Sequence, residues 1–119
     1  YIFNAKTGDF VRKLVSDGAA SDHFGTSVAV SGDMVVVGAP NSNNSTTDDS
    51  GSVYIFNATT GDQLHKLVAS DGADGAYGSY GDEFGWSVAA SGDLVVVGAY
   101  FGKGNSSTHS GSAYIFNAK

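Results

Sequence analysis

Three observations predict an all-β fold built of β-propeller-type blades, each of four antiparallel strands. The pentapeptide Tyr-Ile-Phe-Asn-Ala begins at Tyr1, Tyr54 and Tyr114, at intervals of 53 and 60 residues, and the intervening residues repeat with it. Self-similarity at a near-constant period marks an array of one supersecondary unit that cannot bury its apolar face alone. Seventeen Gly, a single Pro, and short Val/Ile/Tyr/Phe runs between Gly/Asp/Ser clusters read as strands and turns. A unit near 60 residues holds four strands, whereas coils of a linear β-solenoid, the competing arrangement, run below about 30.

The elements follow in order. Ser27-Val28-Ala29-Val30 is short and β-prone, and Ser31-Gly32-Asp33 turns the chain. Met34-Val35-Val36-Val37 is continuously apolar, the pattern of a strand covered on both faces. Gly38-Ala39-Pro40 closes that strand, since Pro cannot donate to a ladder. The Asn/Ser/Thr/Asp-rich stretch Asn41–Ser50 is a loop. Val53-Tyr54-Ile55-Phe56 forms a third strand with both rings on one face by period-two alternation. After Thr60-Gly61-Asp62, the more polar Gln63–Val68 suits an outer edge.

The second copy repeats these signals: Phe24-Gly25 returns as Phe84-Gly85, Ser31-Gly32-Asp33 as Ser91-Gly92-Asp93, and Val35–Ala39 as Val95–Ala99. An insertion around Tyr77–Gly81 absorbs the difference in period. The expected organisation is the last two strands of one blade in 1–15, a complete blade in 24–68, an inserted connection at 69–83, and three strands of a further blade in 84–119. Propellers take about 4–8 blades, so this stretch does not close a ring by itself. Either the chain is a segment of a longer array or copies of it assemble. Tyr1–Lys6 and Tyr114–Lys119 are both Tyr-Ile-Phe-Asn-Ala-Lys. The strand at Tyr114, Ile115 and Phe116 therefore suits the slot of Tyr1, Ile2 and Phe3 in another copy, a heterologous contact that makes a ring or a filament.

A net charge of −6 argues against nucleic acid, whose binding needs clustered Lys and Arg. The absence of Cys excludes disulfides and thiol chemistry. No apolar run is long enough for a membrane span. Because Tyr1 begins in mid-pattern, the chain is expected to lack its true N-terminus, and the lack of a visible signal peptide carries no information.

Phe24-Gly25-x-Ser27-Val28, Gly38-Ala39-Pro40 and Ser50-Gly51-Ser52-x-Tyr54-Ile55-Phe56 resemble the FG-GAP repeat, the blade unit of integrin alpha-subunit propellers. Phe84-Gly85-Trp86-Ser87-Val88, Gly98-Ala99-Tyr100 and Ser110-Gly111-Ser112-Ala113-Tyr114-Ile115-Phe116 repeat the motif. The resemblance implies a propeller of about seven blades, extracellular or cell-surface placement, and adhesion or recognition. Two departures stand out. Tyr100 replaces Pro, and the integrin-type calcium loop is replaced by Ser31-Gly32-Asp33 and Ser91-Gly92-Asp93. One carboxylate cannot supply the six to eight oxygens that calcium takes.

Calcium remains a candidate cofactor elsewhere, at Asp17, Asp22, Asp71, Asp74 and Asp82, with Glu83 beside them and Asp48 and Asp49 in the polar loop. The competing assignment makes these Asp residues turn formers that cap local backbone. Asn-x-Ser/Thr sequons stand at Asn43, Asn44, Asn57 and Asn105, with Asn44 and Asn105 in equivalent loops, so Asn44, Asn57 and Asn105 are candidate glycosylation sites. His23, His65 and His109 have no repeat counterparts, and no nucleophile elbow or His-Glu-x-x-His pattern is present. The recurring aromatics Phe24, Phe84, Tyr54, Tyr114, Phe56 and Phe116 read as core. Trp86, Tyr77, Tyr80, Tyr100 and Phe101 belong to the second repeat alone and suit either packing over the insertion or a contact surface. The expected function is a non-enzymatic extracellular structural or adhesion module whose partners are neighbouring repeats or copies of itself. The rival is a ligand-binding propeller, calcium-dependent or lectin-like, with other extracellular proteins or glycans as partners.

Overall fold

The structure, a computed structural model, describes residues 1–42, 50–70, 81–102 and 110–119. The described residues are all-β, as expected. Strands β1 (Ile2–Phe3) and β2 (Phe10–Arg12) pair in a two-stranded sheet. Strands β3 (Ser27–Ser31), β4 (Met34–Ala39), β5 (Ser52–Asn57) and β6 (Gln63–Leu67) form a four-stranded antiparallel meander. Strands β7 (Phe84–Ser91), β8 (Leu94–Ala99) and β9 (Ser112–Asn117) form a three-stranded one. None of the three sheets closes on itself.

Local chemistry sets the turns. The β3–β4 and β7–β8 hairpins pair Ser31 with Met34 and Ser91 with Leu94 across two-residue loops. Gly32 and Gly92 open these loops at φ 55° and 56°, a left-handed start whose twist suits a hairpin. The Asn of each Tyr-Ile-Phe-Asn works as a turn cap: Asn4 Oδ1 accepts from the amides of Lys6 and Thr7, and Asn57 Oδ1 from those of Thr59 and Thr60. Asn117 Oδ1 likewise accepts from the Lys119 amide. An Asx side chain bonding backbone two or three residues ahead stabilises such turns.

The four-stranded sheet is covered on both faces. On one face, Val35, Val37, Ala39, Tyr54 and Phe56 are buried, with Ile2, Leu14 and Phe24 packed on them. Phe24 meets Tyr54 and Phe56 edge-on at 5.5 and 5.9 Å. On the other face, Val36, Val53 and Ile55 pack against Phe84, Val95, Val97 and Ala99 of the three-stranded sheet. This accounts for the unbroken valine run of β4: both sides of the strand face another sheet. The outer strand β6 is exposed over Gln63–Lys66, in keeping with its polar sequence. Arg12 ties the two-stranded sheet to the middle one by donating to the Thr59 carbonyl at 2.9 Å.

Candidate inter-sheet docking site

The joint between the middle and three-stranded sheets is built around Phe84-Gly85. Phe84 is fully buried and meets Tyr114 and Phe116 edge-on at 5.3 and 5.8 Å. Its backbone enters the middle sheet, where the Phe84 amide donates to the Ser50 carbonyl at 3.1 Å and Phe84 forms a parallel bridge with Gly51. The Ser27 hydroxyl donates to the Gly85 carbonyl at 2.7 Å. A second hydroxyl, that of Ser31, donates to the Gly92 carbonyl at 3.3 Å.

This approach is so close that it requires glycine on both sides. A Cβ on Gly38 would overlap the Gly85 carbonyl, and one on Gly51, already at φ 86°, would overlap the Phe84 backbone. A Cβ on Gly85, at φ 96°, would stand 2.7 Å from the Ser52 carbonyl oxygen. Glycine at these positions is therefore set by sheet-to-sheet proximity as well as by backbone conformation.

Among the described residues, no sheet is seated in the equivalent socket on the three-stranded sheet. It is a groove of ≈ 610 Å³ whose walls include Trp86, Ser87, Gly98, Tyr100, Ser110 and Ser112. Ser87, Gly98 and Gly111 stand where Ser27, Gly38 and Gly51 stand in the middle sheet. At the opposite end of the molecule, Gly25 is exposed at φ 95°, and a Cβ there would meet nothing within 4 Å. Beside it runs a second groove of ≈ 880 Å³, bordered by Ile2, Leu14, Phe24, Gly25, Val28 and Val30.

The six residues proposed as assembly strands lie at the outer sheets. Tyr1 and Phe3 are exposed, while Ile2 packs toward the middle sheet. Tyr114 and Phe116 are half-buried around Phe84, and Ile115 points outward on the open face.

Asp22 is buried, and its carboxylate accepts from the Ala19 amide at 3.0 Å while its carbonyl accepts from the Asn41 amide at 3.3 Å. Asp82, its repeat counterpart, is also buried, and Asp17 is exposed. Asp71, Asp74, Asp48 and Asp49 lie outside the described residues. Among the described residues no three His, Cys, Asp or Glu side chains come together in a way that could hold a metal ion. Asn57 is half-buried in its turn rather than on an open loop, and Asn43, Asn44 and Asn105 lie outside the described residues. His23 Nδ1 lies 3.0 Å from Asn41 Oδ1, His65 is exposed on β6, and His109 falls outside the described residues. Trp86 stacks on Tyr100 at 5.6 Å, which in turn meets Phe101 at 4.7 Å, while Tyr77 and Tyr80 are not among the described residues.

Sequence reasoning overlooked one device. His23 and Glu83 adopt left-handed backbone, φ 54° and 52°, directly before each Phe-Gly. Their carbonyls accept from the amides of Thr26 and Trp86 at 3.1 and 3.0 Å, making the tight turn that presents the Phe-Gly. Neither residue is Gly or Asn, so composition gave no signal for the conformation.

A family model described as FG-GAP repeat matches residues 10–56 and 62–116. Comparison with curated proteins gives no match. FG-GAP repeats occur in propeller domains of adhesion proteins and are typical of extracellular or surface proteins. Among the described residues no helix is long and apolar enough to cross a membrane. Two matched copies cover most of the length, and the Phe-Gly of the second seats in the Ser-Gly-Ser of the first; this chain belongs to the FG-GAP repeat family.

Proposed function

We propose that this chain is a non-enzymatic structural or adhesion module that works outside the cell or at its surface by stacking blades against like blades. The observation that carries this reading is the joint at Phe84-Gly85, together with the same apolar face left open on β8 and β9. A sheet that exposes Val96 and Ile115, where its twin buries Val36 and Ile55, is unfinished until another sheet covers it. The family supports the non-catalytic role, since FG-GAP units serve generally as repeat and binding modules. Neighbouring repeats or further copies of the chain are the partners. Asn44, Asn57 and Asn105 are the proposed glycan acceptors, on the strength of their Asn-x-Ser/Thr sequons.

The test is a tandem fusion in which a second copy of residues 62–119 follows Lys119. A stacking module gains stability with each added blade, as nearest-neighbour interfaces accumulate along a repeat array. The fusion is expected to melt cooperatively and higher than the single chain. Unchanged melting, with the added copy unfolded, rules the reading out.

A second reading, recognition of a glycan, is favoured by the aromatic group on the groove rim. Trp86 and Tyr100 stack while remaining 48% and 61% exposed, and an amphipathic ring surface of that kind suits a sugar face. Because Trp86 is the sole Trp, its emission reports directly on that group. Saturable quenching by a sugar panel supports glycan recognition, and a flat response removes it. Calcium dependence, if the Asp17, Asp22, Asp71, Asp74 and Asp82 carboxylates hold an ion, appears as a melting temperature that rises with calcium and falls with chelator.

A further inference from the structure

We infer that Asp17-Gly18 is a site of spontaneous covalent rearrangement, in which the main chain passes from the α- to the β-carboxyl carbon of Asp17 and becomes a β-aspartyl link. Asp17 lies in the connection between β2 and β3, outside both strands, and is exposed. Among the described residues its carboxylate takes part in no hydrogen bond and no ion pair. The other described aspartates, at positions 9, 22, 33, 62, 82 and 93, are each followed by a residue that carries a side chain. Asp17 alone among them precedes Gly, whose amide no Cβ shields.

The chemistry needs no reagent beyond water. The Gly18 amide nitrogen attacks Asp17 Cγ and forms a C–N bond, while the carboxyl hydroxyl and the amide proton leave together as water. The product is a five-membered cyclic imide, and water then adds to one of its two carbonyls. Opening on the Cγ side restores Asp17. Opening on the α-carbonyl side breaks the original peptide C–N bond and leaves the chain running through Cβ and Cγ, with a free α-carboxylate. The Gly18 amide is available for the first step, since it stands outside any strand ladder and donates to the Ser16 hydroxyl at 3.3 Å, beyond the usual range for such a bond.

The fold itself keeps the reactive pair in place. Gly18 is not one of the glycines with left-handed backbone, so its conformation does not demand glycine. Space does: a Cβ there would overlap the Asp22 carboxylate and stand 3.4 Å from the Tyr54 hydroxyl. Asp22 is buried and accepts from the Ala19 amide at 3.0 Å, while its own amide donates to the Ala19 carbonyl at 3.2 Å. Any side chain at position 18 must displace that carboxylate, so glycine stays and Asp17 stays reactive. The rearranged link adds one main-chain atom just before Ala19. That lengthening falls where Asp22 fixes the connection into Phe24-Gly25, and it loosens the hold. The free α-carboxylate left at residue 17 is the group that β-aspartyl carboxyl methyltransferases esterify, so an enzyme of that class is the partner this site takes.

Incubation of the folded full chain for weeks at neutral pH and body temperature tests the inference. Chymotrypsin, cutting after Leu14 and Phe24, then releases Val15–Phe24, in which Asp17 is the one aspartate before Gly. The expected result is a second species of this peptide, equal in mass and shifted in elution, that accepts a methyl group from S-adenosylmethionine in the presence of the methyltransferase. Asp17→Glu keeps the charge but must close a six-membered imide, which forms far more slowly, so the second species is lost. The incubated unmodified chain is also expected to melt lower than the incubated Asp17→Glu chain. Asp71-Gly72 and Asp74-Gly75 age alike in both, so the difference belongs to residue 17. Gly18→Ala is expected to melt lower before any incubation, through the displaced Asp22 carboxylate. A peptide that stays a single species in the folded chain while rearranging in urea overturns the inference, as does equal methylation of the Asp17→Glu peptide. Equal melting of the two incubated chains overturns the loosened hold, and a melting curve unchanged by Gly18→Ala overturns the enforced glycine.

Discussion

Ile55 and Ile115 occupy the same place in the same Tyr-Ile-Phe-Asn strand, paired with Val36 and Val96 of the same valine run. One is fully buried and the other 72% exposed. The contrast between the middle and three-stranded sheets teaches that burial here belongs to the neighbour. Identical strands become core or surface according to whether another sheet lies against them. The inserting segments show the same asymmetry: Phe84 is fully enclosed and Gly85 buried, while Phe24 is half-buried and Gly25 exposed.

Paired substitutions break or sharpen that comparison. The largest effect is expected at the aromatic wedge, where Phe84→Ala costs about 3–5 kcal/mol by opening a cavity between two sheets. Phe24→Ala, with one side uncovered, costs about 1.5–3 kcal/mol. Denaturant unfolding of both variants measures the difference, and equal losses remove the distinction between filled and open joints. Next come the twin isoleucines. Ile55→Ala is expected to destabilise by about 2–5 kcal/mol, and Ile115→Ala by less than about 0.5 kcal/mol in the dilute chain, as at surface sites generally. The cross-sheet hydroxyl follows: Ser27→Ala loses about 1 kcal/mol with the bond to Gly85, while Ser87→Ala leaves the melting temperature in place. Smallest is Asp93→Asn, which removes an exposed pair with Lys119 at 3.6 Å and shifts stability by less than about 1 kcal/mol.

Much of the architecture was legible from residues alone, for reasons the structure makes plain. The strands follow because period-two alternation sets Tyr54 and Phe56 on one face of β5 and Ile55 on the other, and the unbroken Met34–Val37 run reports covering on both faces of β4. The turns follow because Gly32 and Gly92 are needed for left-handed openings. What stayed hidden was the purpose of Ser27, Gly38 and Ser50-Gly51-Ser52. Their recurrence was visible, yet their partners sit in another sheet, and the Ser27–Gly85 bond links residues 58 positions apart. Period-two patterns describe a strand's own faces and carry no information about which distant backbone approaches them. Asp22 was legible in part: the sequence offers it both as a candidate cation ligand and as a turn residue capping local backbone, and its carboxylate accepts from the Ala19 amide, the local bond a short acidic side chain makes near its own backbone.

Two hydroxyls that cross from the middle sheet to its neighbour, those of Ser27 and Ser31, end on main-chain carbonyls of glycine, at Gly85 and Gly92. Beyond the glycine that the close approach demands at Gly85, such a clasp reads backbone and no side chain on the far side. A duplicated stretch of gene thus arrives carrying both halves of its own fastening, and the chain can lengthen by whole units while the outward-facing residues of each unit drift apart.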